Sequence, residues 1–78
     1  MSKKLEPIPV SVWFHPDGRV KPYSCHYRGK TLDLSVLQEE QKGNTIRYIC
    51  RFDDDDEWEF FEATIVFDKQ ELTWYMER

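Results

Sequence analysis

The residues of this chain able to hold a metal are His15, Cys25, His26 and Cys50, all of zinc-ligating type. Their spacing defeats that use. Cys25 and His26 are neighbours, so on a strand they point to opposite faces, and His15 lies several residue pairs away near a turn. The acidic run Asp53-Asp54-Asp55-Asp56-Glu57 has the first part of a calcium loop, with Asp53, Asp55 and Glu57 at positions one, three and five. Positions six and twelve should then be Gly and Glu, but are Trp58 and Thr64. A solvated hairpin loop is the simpler reading, and its adjacent charges would discourage pairing with another chain. Neither Cys25 nor Cys50 has a histidine on its own face to serve as a base. Ser11, Ser24 and Ser35 lack the glycine context of a nucleophile elbow, and Gly18, Gly29 and Gly43 are scattered among turns rather than gathered in a phosphate loop. No acid, base and nucleophile converge, so the expectation is a protein that is not an enzyme and carries no cofactor and no metal.

The elements that carry these residues read as β-strands, because apolar and polar side chains alternate with period two. Ile8, Val10, Val12 and Phe14 share one face of the first strand, with Trp13 and His15 on the other. Pro16-Asp17-Gly18 makes a turn, and Arg28-Gly29 makes the next. That second turn sets Tyr27 opposite Lys30, Cys25 opposite Leu32 and Tyr23 opposite Leu34. Ile46, Tyr48, Cys50 and Phe52 form an inward face, and Asp68 to Glu71 turns the chain so that Phe67 meets Leu72, Ile65 meets Trp74 and Ala63 meets Met76. Two breaks of parity require an extra residue each, one at Lys21-Pro22 and one at Phe60-Phe61, and both are read as β-bulges.

These signals predict an all-β fold, a six-stranded antiparallel meander closing into a small SH3-like barrel. Residues 1–6 are expected as a flexible N-terminus and residues 7–78 as a single β-barrel domain. Ser35 and Gln38 sit at capping-box spacing before Gly43, so one short helical turn near 36–42 competes with a strand there. With 78 residues, the chain buries roughly 60 to 65% of its unfolded surface, which makes for a marginal core.

Charge narrows the partners. The net charge is −4, divided unevenly: residues 1–39 carry six cations against four acids, and residues 40–78 carry five against eleven. An acidic chain repels nucleic acid at long range. No apolar run approaches the ~20 residues that cross a bilayer, so no membrane association is expected. Two cysteines within apolar segments suit a reducing compartment, and the expected location is cytoplasmic.

Binding surfaces are sought among residues that alternate out of the core. Trp13, Ile49 and Tyr75 would leave large apolar groups on the surface, the mark of a protein-binding or homo-oligomer face, unless they form a second core layer. Trp13, Lys21, His26, Arg28 and Lys30 make an alternative, a basic and aromatic set suited to single-stranded nucleic acid. The expected function is a non-enzymatic interaction module that binds a protein partner or itself, with weak nucleic-acid binding as the alternative.

The stretch Trp13-Phe14-His15-Pro16-Asp17-Gly18-Arg19-Val20-Lys21-Pro22, with Tyr27-Arg28-Gly29-Lys30 and Leu72-Thr73-Trp74-Tyr75, resembles small uncharacterised bacterial all-β proteins of hypothetical function. The resemblance spans most of the chain. It implies a bacterial, cytoplasmic origin and carries over no activity and no site residue.

Overall fold

A computed structural model describes residues 5–54 and 59–77. Every regular element among them is a strand, and the strands form one antiparallel sheet. They are β1 (Leu5–Pro7), β2 (Val10–Phe14), β3 (Val20–Tyr27), β4 (Lys30–Lys42), β5 (Thr45–Asp54), β6 (Glu59–Asp68) and β7 (Thr73–Glu77). Their spatial order is β1-β7-β6-β5-β4-β3-β2.

The sheet has seven strands where alternation predicts six. Leu5 and Glu6, expected in a flexible terminus, pair with Glu77 and Met76 as part of β1. The chain then reaches the other end of the sheet through Ile8 and Pro9. The Ile8 N–H donates to the Trp74 carbonyl at 3.1 Å, and the Pro9 carbonyl accepts from the His26 N–H at 3.0 Å. Pro7 and Pro9 supply no N–H to a ladder, which is why the strand breaks where they flank Ile8. The two sheet ends therefore meet across two residues, giving a strongly curled, barrel-like sheet.

The inner face follows the alternation closely. Ile46, Tyr48, Cys50 and Phe52 of β5 are buried together with Cys25, Leu32, Leu34, Ile65, Phe67, Met76 and Ile8. Aromatic rings stack through this core: Trp74 lies 4.5 Å from Phe67 and 5.7 Å from Tyr48, and Phe52 lies 5.1 Å from Phe61.

The irregularities fall in different places from those expected. One bulge sits in β3 at Tyr23, between the pairs Ser11↔Ser24 and Val12↔Pro22, one residue beyond Lys21-Pro22. Tyr23 is consequently turned outward and does not face Leu34. The β5–β6 ladder runs without a break from Thr45↔Asp68 to Asp54↔Glu59, so there is no bulge at Phe60-Phe61. Phe61 points in and stacks on Phe52; Phe60 points out, with the Arg51 guanidinium 4.2 Å from its ring centre. The second bulge lies in β4 between Val36 and Gln38, and it lets the strand run on through the segment where a helical turn competed. No helix occurs among the described residues, because ladder bonds to β5 from Asp33 through Lys42 outweigh the local capping signal of Ser35 and Gln38.

The last hairpin is shifted by two residues from its expected register. Phe67 pairs with Trp74, Ile65 with Met76 and Thr64 with Glu77. The Asp68 carboxylate accepts from the Gln70 and Glu71 N–H groups, and the Leu72 N–H donates to the Asp68 carbonyl. This lengthens the turn and leaves Leu72 in it at φ +56°, rather than paired with Phe67.

Candidate functional site

The β2–β3 hairpin begins from a turn whose chemistry the sequence announces. The Asp17 carboxylate accepts the Arg19 N–H at 3.0 Å and the Arg19 Nε–H at 2.7 Å. The backbone bond, foremost, holds the Asp17 carboxyl below its ordinary value, and the neighbouring Arg19 charge adds to this. Gly18 takes φ +90°, a conformation costly for other residues. With the turn fixed, Trp13 stands opposite Lys21 and Phe14 opposite Val20.

The bulge then sets Tyr23 on the outer face beside Trp13, with ring centres 5.9 Å apart. Trp13 is 64% exposed and Tyr23 44%, and Phe14, at the end of β2 on the opposite face, is 72% exposed. Three large rings therefore crowd one hairpin, in contact with solvent. Sequence alternation finds Trp13 but misses Tyr23, which only the bulge turns outward. It also misses Phe14, which shares the core parity of Val10 and Val12 yet lies at the exposed end of the strand.

Ile49 and Tyr75 do not join Trp13. Both are half-buried on the outer face of other strands. Ile49 lies between Gln38 and Thr64, and Tyr75 lies between Val66 and Pro7 with its hydroxyl 3.2 Å from Thr73 Oγ1. Close to them Arg47 bridges three strands, reaching Glu40 at 3.1 Å and Glu77 at 3.0 Å.

The basic set is also divided. Lys21 is the cross-strand neighbour of Trp13, and His26 is exposed on the same strand opposite Thr31. Arg28 sits in the next turn with its guanidinium 5.0 Å from the Tyr27 ring centre, and Lys30 Nζ lies 3.0 Å from Asp54 Oδ2.

A second feature has no counterpart in the sequence reading. Counting from their turn, β3 pairs with β4 only from Tyr27↔Lys30 to Ser24↔Asp33, beyond which the two strands part like a fork. The gap is a cleft of about 270 Å3 walled by Val20, Val36 and Tyr48, with His15, Arg19 and Lys21 on one rim and Glu39 on the other. The Tyr48 hydroxyl donates across it to the Val20 carbonyl at 3.0 Å. Burial, then the Glu39 charge, pushes the Tyr48 phenol up to about 12, so it remains a donor at neutral pH. Tyr48→Phe removes this strut and is expected to cost about 1 kcal/mol in urea unfolding, with faster amide exchange around Val20. An unchanged unfolding midpoint would show that the hydroxyl bond contributes nothing.

Cys25 and Cys50 are buried free thiols, pushed by burial up to about 11 and about 12, and so are not thiolates at neutral pH. No three His, Cys, Asp or Glu side chains gather as a metal site among the described residues. Asp53 and Asp54 of the acidic run lie within reach of Arg51 and Lys30, while Asp55 and Glu57 lie outside the described residues. No helix among the described residues is long and apolar enough to cross a membrane.

No protein-family model matches the chain, and no curated protein or solved structure matches it.

Proposed function

We propose that this chain is a non-enzymatic interaction module built on a small SH3-like barrel, docking onto a protein partner or a second copy of itself through the aromatic β2–β3 hairpin. The bonding of Ile8 and Pro9 to the two ends of the sheet supports the barrel. The interaction reading rests on the exposed Trp13 and Tyr23 rings packed together on one face, with exposed Phe14 on the other face of the same hairpin, since exposed aromatic residues of this kind are typical of protein interfaces. Two buried free thiols suit a reducing compartment such as the cytoplasm.

Light scattering across protein concentration, at low and high salt, tests this reading. A mass that rises with concentration, is insensitive to salt and falls back to the monomer in Trp13→Ala is the expected result. Trp13 is exposed, so its removal should leave the unfolding midpoint within about 0.5 kcal/mol of the parent. A strict monomer at every concentration would rule out self-association through this face and direct the search to a different protein.

One observation favours a second reading, weak binding of single-stranded nucleic acid. Lys21 stands directly across from Trp13, with Tyr23 alongside, so a cation and two stacking rings share one surface. The sequence pI of about 5.1 weighs against it. Binding of an oligonucleotide that quenches Trp13 and weakens steeply with salt would establish it.

A further inference from the structure

β2 ends the sheet, with β3 as its one partner strand among the described residues. The His15 N–H donates to the Arg19 carbonyl and the Pro9 carbonyl accepts from the His26 N–H, so residues of that parity direct their backbone groups at β3. Backbone direction alternates along a strand, which leaves the N–H and C=O groups of Val10, Val12 and Phe14 directed at the outer edge. Edge strands are ordinarily blunted by charge or proline, and the free stretch of β4 carries Glu39, Glu40 and Lys42. β2 carries neither.

The same strand holds a knob and a hollow. Phe14 has the parity of Val10, which packs against the core, yet Phe14 is exposed. At the start of the strand Val10 borders an open apolar groove of about 610 Å3, which Ile8, Leu72 and Trp74 also line. Antiparallel pairing with β2 of a second copy, about a two-fold axis at Val12, fits knob to hollow twice. Phe14 of each copy then stands across from Val10 of the other on the same face, with Cβ atoms about 5 Å apart. On the opposite face Trp13 meets Ser11, large against small. This register engages Val10, Val12 and Phe14 of both copies. A register centred on Ser11 sets Phe14 across from Ile8, whose N–H already bonds Trp74. One centred on Trp13 sets Val10 across from Pro16, which has no N–H to give. Charge agrees with a second copy, because a charged strand or a phosphate backbone would lose water along this neutral edge with nothing to compensate it. A strand of another protein would need the same bulk at the same spacing, which the chain's own β2 supplies by symmetry. We propose that two copies of this chain join edge to edge through β2, in the register centred on Val12, as a closed two-fold dimer. This rests on the interaction reading and names its partner.

Amide exchange of the full chain from micromolar to millimolar concentration, with light scattering alongside, tests this. Exchange at Val10, Val12 and Phe14 should slow by about tenfold or more as concentration rises. The mass should stop at the dimer, because a two-fold contact closes on itself. Val12→Pro removes an outward N–H and none that β3 uses, so it should stay folded by circular dichroism and remain monomeric. Phe14→Lys, an exposed substitution, should fold as the parent does and weaken the dimer by about tenfold or more. Association without slowing at Val10, Val12 and Phe14 would overturn the edge pairing and leave the aromatic-face reading standing. So would association that persists in folded Val12→Pro but is lost in Trp13→Ala. A mass that climbs past the dimer would overturn the closed pairing. A strict monomer at millimolar concentration would also overturn it, leaving the aromatic face to a different protein.

Discussion

Phe52→Ala is expected to abolish cooperative unfolding. The side chain is fully buried at the centre of β5, stacked on Phe61 and packed among the core residues of the neighbouring strands. Replacing a buried Phe by Ala costs about 3 to 5 kcal/mol through lost transfer energy and the cavity left behind. A domain of this size has a total stability of roughly 5 kcal/mol, so the substitution removes most of it. Urea titration followed by circular dichroism should show no folded baseline for Phe52→Ala. Phe60→Ala is the informative companion, because Phe60 is 64% exposed and lies under Arg51 on the outer face. It should shift the midpoint by no more than about 1 kcal/mol. A severe loss from Phe60→Ala and a mild one from Phe52→Ala would overturn the unbroken β5–β6 register.

Alkali is expected to destabilise the fold as the pH rises above about 9. Burial raises Cys25 from 9.0 to about 11, Cys50 from 9.0 to about 12 and Tyr48 from 10.0 to about 12. Each group is neutral when protonated, and the fold favours that neutral form. Above the unfolded values the unfolded chain sheds these protons while the folded chain keeps them, so stability falls as pH rises. The stabilisation is complete below pH 9, declines from pH 9 through the thiols and continues to decline between pH 10 and 12 with Tyr48. At pH 10 the three groups together should have removed about 3 kcal/mol relative to pH 7. The measurement is the urea midpoint from pH 7 to 10.5. Cys50→Ala should be less stable at pH 7 but show a shallower fall with pH. A midpoint unchanged to pH 10 would mean that the thiols and the phenol titrate as they do in the unfolded chain.

Much of the core was legible in the sequence because burial in a strand is a local, two-residue rhythm. The alternation of Ile46, Tyr48, Cys50 and Phe52 marks them as inward, and all four are buried. Likewise Tyr27↔Lys30 and Cys25↔Leu32 follow from the short turn at Arg28-Gly29. A bulge near Pro22 was legible too, because parity on either side of it could not otherwise agree. The exact bulged residue is not legible, so the sequence alone does not set Tyr23 beside Trp13. At Phe60-Phe61 the apolar run was ambiguous: either ring could satisfy the alternation, and the unbroken ladder with β5 chose Phe61.

The sequence by itself determined that this chain makes antiparallel strands and which residues share a face within each uninterrupted run. Those properties depend on alternation and turn chemistry over a few residues. Only the tertiary structure decided where the ladders slip and where they stop. The bulge at Leu37 keeps β4 extended through a segment with helical capping signals, and the parting of β3 from β4 after Asp33 creates the fork. Both depend on how strands distant in sequence fit against one another, and such pairing energies are not written in any one strand.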